Sequence, residues 1–422
     1  MAINPANRNG GDRGEKISGA TFSVTPARER DDFDRDVWSV LGLPVDAAGL
    51  SGAVLEIDLA VRDGRRFSFI TPNVNWLVQS LRDPEARRRA LDSDFSLADG
   101  APLVLLARAL GAPLRARAAG ADLFDVLRKR SGFEGRRLRV FFFGGRDGAA
   151  EAAAKAVDAE RGGVMSAGWL NPGHGDVDSM SVQTFINRIN AAGPDFVVVS
   201  LGAEKGQAWI DRNRDRLAAP VVAHLGAVVD FVAGGVRRAP VWMQKTGLEW
   251  VWRIKEEPAL WRRYVADGCA FILLLVTRFP RCYFGARPRA NGEARAETQF
   301  SPEATTIRLG GVLSAGALDP VREAFRDASM CGGDVRLLFE SVKAFDSAFL
   351  GLVLMLEKHV MRRGGRIILQ GISRSQRAIF KANAMPYAVE RAGDGRRPLT
   401  AARRNRRAKK DGIALQESVP EA

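Results

Sequence analysis

The chain has 422 residues, 46% hydrophobic and 27% charged, the composition of a folded protein and more than one ordinary core holds, so two domains are expected. A formal net charge of +14 at pH 7 directs it toward polyanions: phosphorylated substrates, anionic lipid or nucleic acid. Three widely spaced cysteines and the dispersed His174, His224 and His359 exclude a disulfide framework, a zinc pattern and a histidine-rich metal centre, and fit a reducing compartment.

Residues 1–36 are polar and charged, with no apolar stretch of the kind a signal peptide needs, and read as a disordered leader. From about residue 37 to 285, short β-rich runs alternate with helical stretches. Phe67–Thr71 reads as a strand, Pro84–Ala90 as a helix, Leu138–Phe143 as a strand ending in Gly144 and Gly145, and Ala149–Val157 as a helix. Asp195–Leu201 and Val221–Leu225 are further strands, ending at Gly202 and Gly226. Strands that are apolar throughout and alternate with helices predict an α/β, Rossmann-like parallel sheet covered on both faces. A glycine after each strand places the working rim at the carboxyl ends.

Residues 286–302 are rich in Pro, Gly and mixed charge and read as a linker. A second, small βα domain is expected over 303–392. It contains strands at Thr306–Leu309, Val335–Phe339 and Arg366–Gln370, and helices at Asp319–Ala328, Leu350–Arg362 and Gln376–Asn383. Residues 393–422 form a basic tail expected to be disordered. The longest strongly apolar run, Cys269–Val276, has eight residues, whereas spanning a bilayer takes roughly 20. Flanked by Arg262, Arg263, Tyr264, Arg278 and Arg281, it suits either a membrane interface or a buried helix.

Polar residues gather at four strand ends. Thr71, Asn73 and Asn75 offer a hydroxyl and two amides, or simply cap the next helix. Asp99, beside Gly100, has the setting of a general base or of a turn. Gly202 opens a helix whose free N–H groups can meet phosphate, with Lys205 able to neutralise a diphosphate. The block from Gly226 onward brings Asp230, Arg237, Arg238, Lys245, Arg253, Lys255, Arg262 and Arg263 together, as phosphate-pairing arginines or as a solvated helical face. The pair Asp176 and Asp178 has the form of a divalent-ion motif, but no strand of the expected kind precedes it, and solvated loop carboxylates explain it better.

These pieces, in order from about Phe67 to Tyr264, resemble the WecG/TagA/CpsF glycosyltransferases of bacterial surface polysaccharide synthesis. They are T-x-N at Thr71 to Asn73, Asp99-Gly100, R-x-x-G-x-D at Arg117, Gly120 and Asp122, Gly144-Gly145, Asp230 to Gly234, Arg238 to Trp242, Glu249 to Arg253, and Arg262 to Tyr264. The resemblance implies an inverting, metal-independent transfer of a hexose or N-acetylhexosamine-type sugar from a UDP donor to an undecaprenyl-diphosphate-linked sugar, with no cofactor. It assigns Asp99 as general base, with Thr71 and Arg117 as its catalytic companions. Asn73, Asn75, Asp122, Gly144, Gly145, Gly202, Lys205, Gln207, Gly226, Asp230, Arg238, Arg253, Arg262 and Arg263 then become substrate-binding candidates. A basic appendage over about 237–285 is expected to dock on the inner face of the cell membrane, which makes the protein cytoplasmic and peripheral. One loop departs from the family's G-x-P-K-Q-E-x-W: Glu204 stands for Pro, Gly206 for Gln and Gln207 for Glu, while Lys205 and Trp209 remain. The family's glutamine contact is displaced or lost, which leaves the donor open.

Residues 304–390 resemble a STAS domain through Phe345–Leu352 and Gly364–Leu369, although Leu338 and Glu340 replace two residues of its usual upstream motif. The resemblance implies a protein-docking or regulatory module and makes Ser347, at a helix N-terminus, a candidate phosphosite. A scaffold that keeps the transferase fold without catalysis is the alternative, and the altered loop favours it. Nucleic acid is not expected as a partner, since the basic tail has no aromatic residues for base stacking. A homo-oligomer is compatible with the sequence.

Overall fold

The computed structural model describes residues 31–226, 228–235, 238–240, 242–243, 247–256, 258–286 and 292–390. The expected leader up to residue 30, Arg237, Lys245 and the basic tail lie outside these.

Six parallel strands form the first sheet, in the order β4-β3-β8-β7-β5-β6. They are β3 (Phe67–Ile70), β4 (Phe95–Ser96), β5 (Leu138–Gly144), β6 (Val164–Leu170), β7 (Phe196–Ser200) and β8 (Val221–His224). The continuous apolar runs are explained by two-sided burial. Leu138, Val140, Phe142, Val198 and Ala223 pack in one cluster, while Phe141, Phe143, Val197, Val199 and Val222 pack in another on the opposite face. Helices α1 (Leu50–Arg62), α2 (Val74–Arg82), α3 (Pro84–Asp92), α4 (Ala101–Ala109), α5 (Gly120–Lys129), α6 (Ala149–Glu160), α7 (Gln183–Ala191), α8 (Ala203–Asn213) and α9 (Val228–Val232) connect the strands. Asp83 caps α3 by accepting from Glu85 N and Ala86 N, with Pro84 supplying the first helical φ.

An appendage follows: α10 (Glu249–Glu256), α11 (Trp261–Thr277) and α12 (Phe279–Gly285). The second sheet has the order β13-β12-β11-β10-β9. Its strands β10 (Ala304–Leu313), β11 (Asp334–Phe345), β12 (Ile367–Gln370) and β13 (Ala388–Glu390) are parallel. It is covered by α13 (Asp319–Met330), α14 (Ser347–Arg362) and α15 (Arg374–Ala382). Asp346 caps α14 by accepting from Ala348 N and Phe349 N, and Ser373 with Gln376 forms a capping box on α15.

Two boundaries differ from expectation. Residues 294–300, inside the expected linker, form β9 (Ala294–Phe300), the antiparallel edge strand of the second sheet. One side of β9 packs and the other carries Arg295, Glu297 and Gln299 outward, so its polarity marks an edge rather than a tether. Residues 31–36, inside the expected leader, are ordered, with Phe33 and Arg35 buried. They lead into a hairpin, β1 (Val37–Val40) and β2 (Leu43–Asp46), which packs on α14 of the second module.

The two modules therefore share one hydrophobic cluster, running from Phe33 and Val40 through Leu103 and Leu106 to Phe325, Val353 and Leu356. Gly351 lets α14 lie on β1, since a Cβ there would collide with the carbonyl oxygen of Val37. Ion pairs line the same seam, and those of Lys358, His359 and Glu357 cross it. Arg35 is bidentate to Asp46 at 3.0 and 2.8 Å and reaches Asp32 at 2.7 Å. Lys358 and His359 of α14 approach Asp32 at 2.8 and 3.0 Å. Arg87 of α3 is bidentate to Glu357, which also accepts from the Tyr387 hydroxyl at 2.6 Å. The appendage joins in: Arg278 donates to Ala382 O at 3.2 Å, and Asn383 donates to Cys282 Sγ at 3.2 Å.

Candidate active site

The carboxyl ends of β3, β4, β7 and β8 open on one cleft of about 910 Å³, closed on its far side by α10 and α11. Its lining includes Thr71, Asn73 and Asn75 after β3, Asp99 after β4, Gly145 after β5, Gly202, Lys205 and Gln207 of the α8 turn, and Gly226 and Asp230 after β8. Arg117, Arg238, Arg253 and Arg263 complete it. A sheet whose strands all point one way brings separate loops together at one rim, and these residues converge there for that reason.

Asp99 is held by its own backbone, whose N–H donates to Pro72 O at 2.8 Å, and by Gly100, whose positive φ of 89° turns the chain into α4. Burial pushes its carboxyl up to about 6; Arg117 opposes that rise, while Glu249 and Asp122 add to it. A carboxyl that titrates near neutrality is both ionised and basic enough to take a proton from a hydroxyl.

Arg117, the candidate catalytic companion of Asp99, has its guanidinium surrounded by acids. It donates to Glu249 at 2.6 Å and stands 3.6 Å from Asp122 and 3.9 Å from Asp99. Its place is to moderate Asp99 and to tie α10 of the appendage to the sheet. Asp122 does not line the cleft; it pairs with Arg117 and Arg238. Gly144 lies behind the rim against Ser200, a close backbone approach rather than a ligand contact. Arg262 stands outside the cleft, 5.6 Å from the Trp261 ring centre, whereas Arg253 enters it beside Phe231. Asn73 caps α2, accepting from Asn75 N and Trp76 N at 3.0 and 3.3 Å, and Asn75 donates to Asp267 of α11 at 2.9 Å. Lys205 donates to Gly175 O at 2.9 Å at the cleft edge.

Asp176 and Asp178 both have protein partners. Asp176 accepts from Ser179 N at 2.8 Å, and Asp178 pairs with Arg212 at 2.7 Å. Among the described residues, no group of three His, Cys, Asp or Glu is placed to hold a metal. Ser347 is 1% exposed beneath the start of α14, so the folded chain presents no hydroxyl there to a kinase.

Glu249 and His224 are among the cleft residues outside the sequence-derived candidates. Glu249 stands in a motif, but only the fold brings it to Arg117. His224, at the end of β8, is one of three dispersed histidines in the sequence and a cleft wall in the structure. Its strand-end position is the signal that marks it.

A doubly covered parallel sheet with a carboxylic base and a ring of cations at its carboxyl rim suits a glycosyltransferase, and the comparisons with known proteins fix that class. The chain belongs to the glycosyl transferase WecG/TagA/CpsF family, whose model matches residues 38–282, and a STAS domain model (Mlab, STAS domain) matches residues 296–385. It is similar to the N-acetylglucosaminyldiphosphoundecaprenol N-acetyl-beta-D-mannosaminyltransferase of Bacillus spizizenii, 28% identical over 218 residues, which are 51% of this chain and 82% of that protein. The protein of the same name from Bacillus subtilis is 29% identical over 203 residues, 48% of this chain and 76% of that one. Among solved structures, the chain is similar to the anti-sigma factor antagonist SpoIIAA. The unphosphorylated form is 24% identical, with a TM-score of 0.22 over 24% of this chain and 90% of that chain. The phosphorylated Bacillus form is 25% identical, with a TM-score of 0.21 over 24% and 93%.

Proposed function

We propose that this chain transfers a hexose or N-acetylhexosamine-type sugar, with inversion, from a UDP donor to an undecaprenyl-diphosphate-linked sugar in surface polysaccharide synthesis. The observation that carries the reading is the Asp99 carboxyl, raised to about 6 by burial in the wall of a cleft that Thr71, Arg253 and Arg263 also line. As the acceptor hydroxyl attacks the anomeric carbon, Asp99 takes its proton and the sugar–phosphate bond breaks. Thr71 orients sugar hydroxyls. The leaving UDP carries its charge to the N-terminus of α8 and Lys205, with Arg253 and Arg263 facing it across the cleft. These cations supply the charge neutralisation that a divalent ion provides in other transferases, so the reaction is proposed to be metal-independent.

The named activity of the two Bacillus relatives supports a lipid-diphosphate acceptor. So does the surface beside the cleft: α11 leaves Val265, Ile272, Leu273 and Val276 exposed next to Arg262 and Arg263. No helix among the described residues is long and apolar enough to cross a membrane. An apolar stripe edged by arginines suits a peripheral position on an anionic bilayer. The STAS module is fastened to the transferase by their shared core, and its proposed role is to dock a protein partner.

UDP release by the full chain, over a panel of UDP-sugars with a short-chain lipid-diphosphate sugar as acceptor, tests the reading. Acceptor-dependent release that survives EDTA supports it. Release from no donor, by folded protein, points to a non-catalytic scaffold instead.

A further inference from the structure

Two polar groups in the cleft have no task in the chemistry just described. The Nε2 atom of His224 is enclosed and has no hydrogen-bond partner among the described residues. The same holds for Oε1 of Gln207, a side chain only 4% exposed, whose amide nitrogen reaches Asp211 at a long 3.5 Å. Both residues line the cleft. Buried polar atoms are nearly always paired, and two left unpaired within the cleft wall carry a cost that a ligand relieves when these side chains turn out to meet it.

The fold has made room for this arrangement. A Cβ at position 206 would collide with the imidazole of His224, so Gly206 is what allows the ring to lie against α8. Gly206 and Gln207 are two of the three residues by which this loop departs from the family pattern. The departure is therefore a rebuilt wall rather than an eroded one. Burial pushes the His224 imidazole down to about 4, so it faces the cleft neutral, with one N–H and one lone pair. Such a ring suits a hydroxyl or an amide and contributes nothing to holding phosphate.

Sheet order says which part of a donor it meets. β8 lies between β7, whose end opens the N-terminus of α8 and Lys205, and β3, beyond which β4 carries Asp99. With the diphosphate at α8 and the base after β4, the sugar being transferred must bridge the strands between, over the end of β8. We infer that His224 and Gln207 form the sub-site that reads the donor sugar, hydrogen-bonding a hydroxyl or acylamino group of the hexose, and that they set which UDP-sugar is used. This rests on the proposed transferase reading.

Calorimetric titration of the full chain with UDP, UDP-glucose, UDP-N-acetylglucosamine and UDP-N-acetylmannosamine separates the two ideas, because it needs no turnover. His224→Phe, which fills the space without hydrogen bonds, should bind UDP within about twofold of the parent and the preferred UDP-sugar at least about tenfold more weakly. His224→Gln should recover most of that loss, and the ranking among sugars should flatten in the Phe variant. Gln207→Leu should give the same pattern if His224→Phe does not fold, as judged by its melting curve. Equal weakening of UDP and UDP-sugar, or an unchanged ranking, overturns the inference while leaving the transferase reading intact. A parent protein that binds no UDP-sugar overturns both.

Discussion

The cleft and the seam between the modules both bury charge, and they treat it in opposite ways. Along the seam every buried ion has its counterpart. Arg35 is shared by Asp46 and Asp32, Lys358 sits on Asp32, and Glu357 takes both Arg87 and Tyr387. In the cleft, Asp99 is pushed toward its neutral form, and His224 and Gln207 keep polar atoms open. A satisfied network fixes one arrangement of two domains. An unsatisfied one carries a cost that only a substrate relieves. The contrast also shows why the STAS module is not a tethered accessory: its central helix completes the core around residues 33–45.

The sharpest way to break this contrast is Asp99→Asn. Transfer should fall at least about a hundredfold, as expected when a general base is lost. The same variant should be more stable at pH 7.5, by about 1–2 kcal/mol. The sign follows from the raised carboxyl. Folded Asp99 holds its proton up to about 6, the unfolded chain only to the ordinary carboxylate range, so Asp99 destabilises the fold above pH 6 and not below pH 4. Thermal melts of parent and variant should therefore separate at pH 7.5 and converge at pH 4. In the parent, the transfer rate should decline as pH falls through about 6. A variant that loses activity and stability together would place Asp99 with the seam residues instead.

The seam should answer in the other direction. Arg35→Met leaves buried Asp46 without its arginine and takes from Asp32 one of the cations it shares with Lys358, and should cost about 3–5 kcal/mol in a urea melt. Both modules should unfold in one transition, because the same cluster holds them. Burial alone would raise the Asp32 carboxyl, but Lys358, a hydrogen bond from His359 and Arg35 outweigh it and keep that carboxyl well below the ordinary range. Its contribution is therefore present above that range and lost only as pH falls through its lowered value, so the seam should survive mild acid below pH 4. Two separate transitions, or acid release near pH 5, would mean that the modules are independent. Gly351→Ala should cost less, about 1–3 kcal/mol, by pushing α14 off the Val37 carbonyl.

The sheet was legible because two-sided burial writes continuous apolar runs such as Phe196–Ser200. The seam was not. The charges of residues 31–36 look like those of any solvated leader, and their partners stand far along the chain, His359 being 327 residues from Asp32. Charge in a sequence does not say whether water or another module will meet it. The hairpin Val37–Asp46 was hidden for a related reason: Gly42 and Pro44 break its pattern, and only α14 makes it a core element. In the cleft, Asp99 and Thr71 came from ordered motifs, whereas His224 carries only the signal of its strand-end position, and the room Gly206 leaves for its ring shows in the fold alone.

The smallest expected effect sharpens the comparison most finely, because it asks for an open polar atom in the STAS module. Ser347 is enclosed, and its hydroxyl has no partner among the described residues. If that openness served phosphorylation, the hydroxyl would need access, which the fold denies it. As a packed and unpaired group it should be dispensable: removing the oxygen removes an uncompensated desolvation, and Ser347→Ala should raise stability by about 0.5–1 kcal/mol with transfer unchanged. Ser347→Asp should instead destabilise by several kcal/mol, since it buries a second carboxylate next to Asp346. Urea melts and UDP release on the three proteins decide the matter. A Ser347→Ala variant that is less stable, or a Ser347→Asp variant that folds normally and changes the transfer rate, would return Ser347 to the functional residues and give the STAS module an open site of its own.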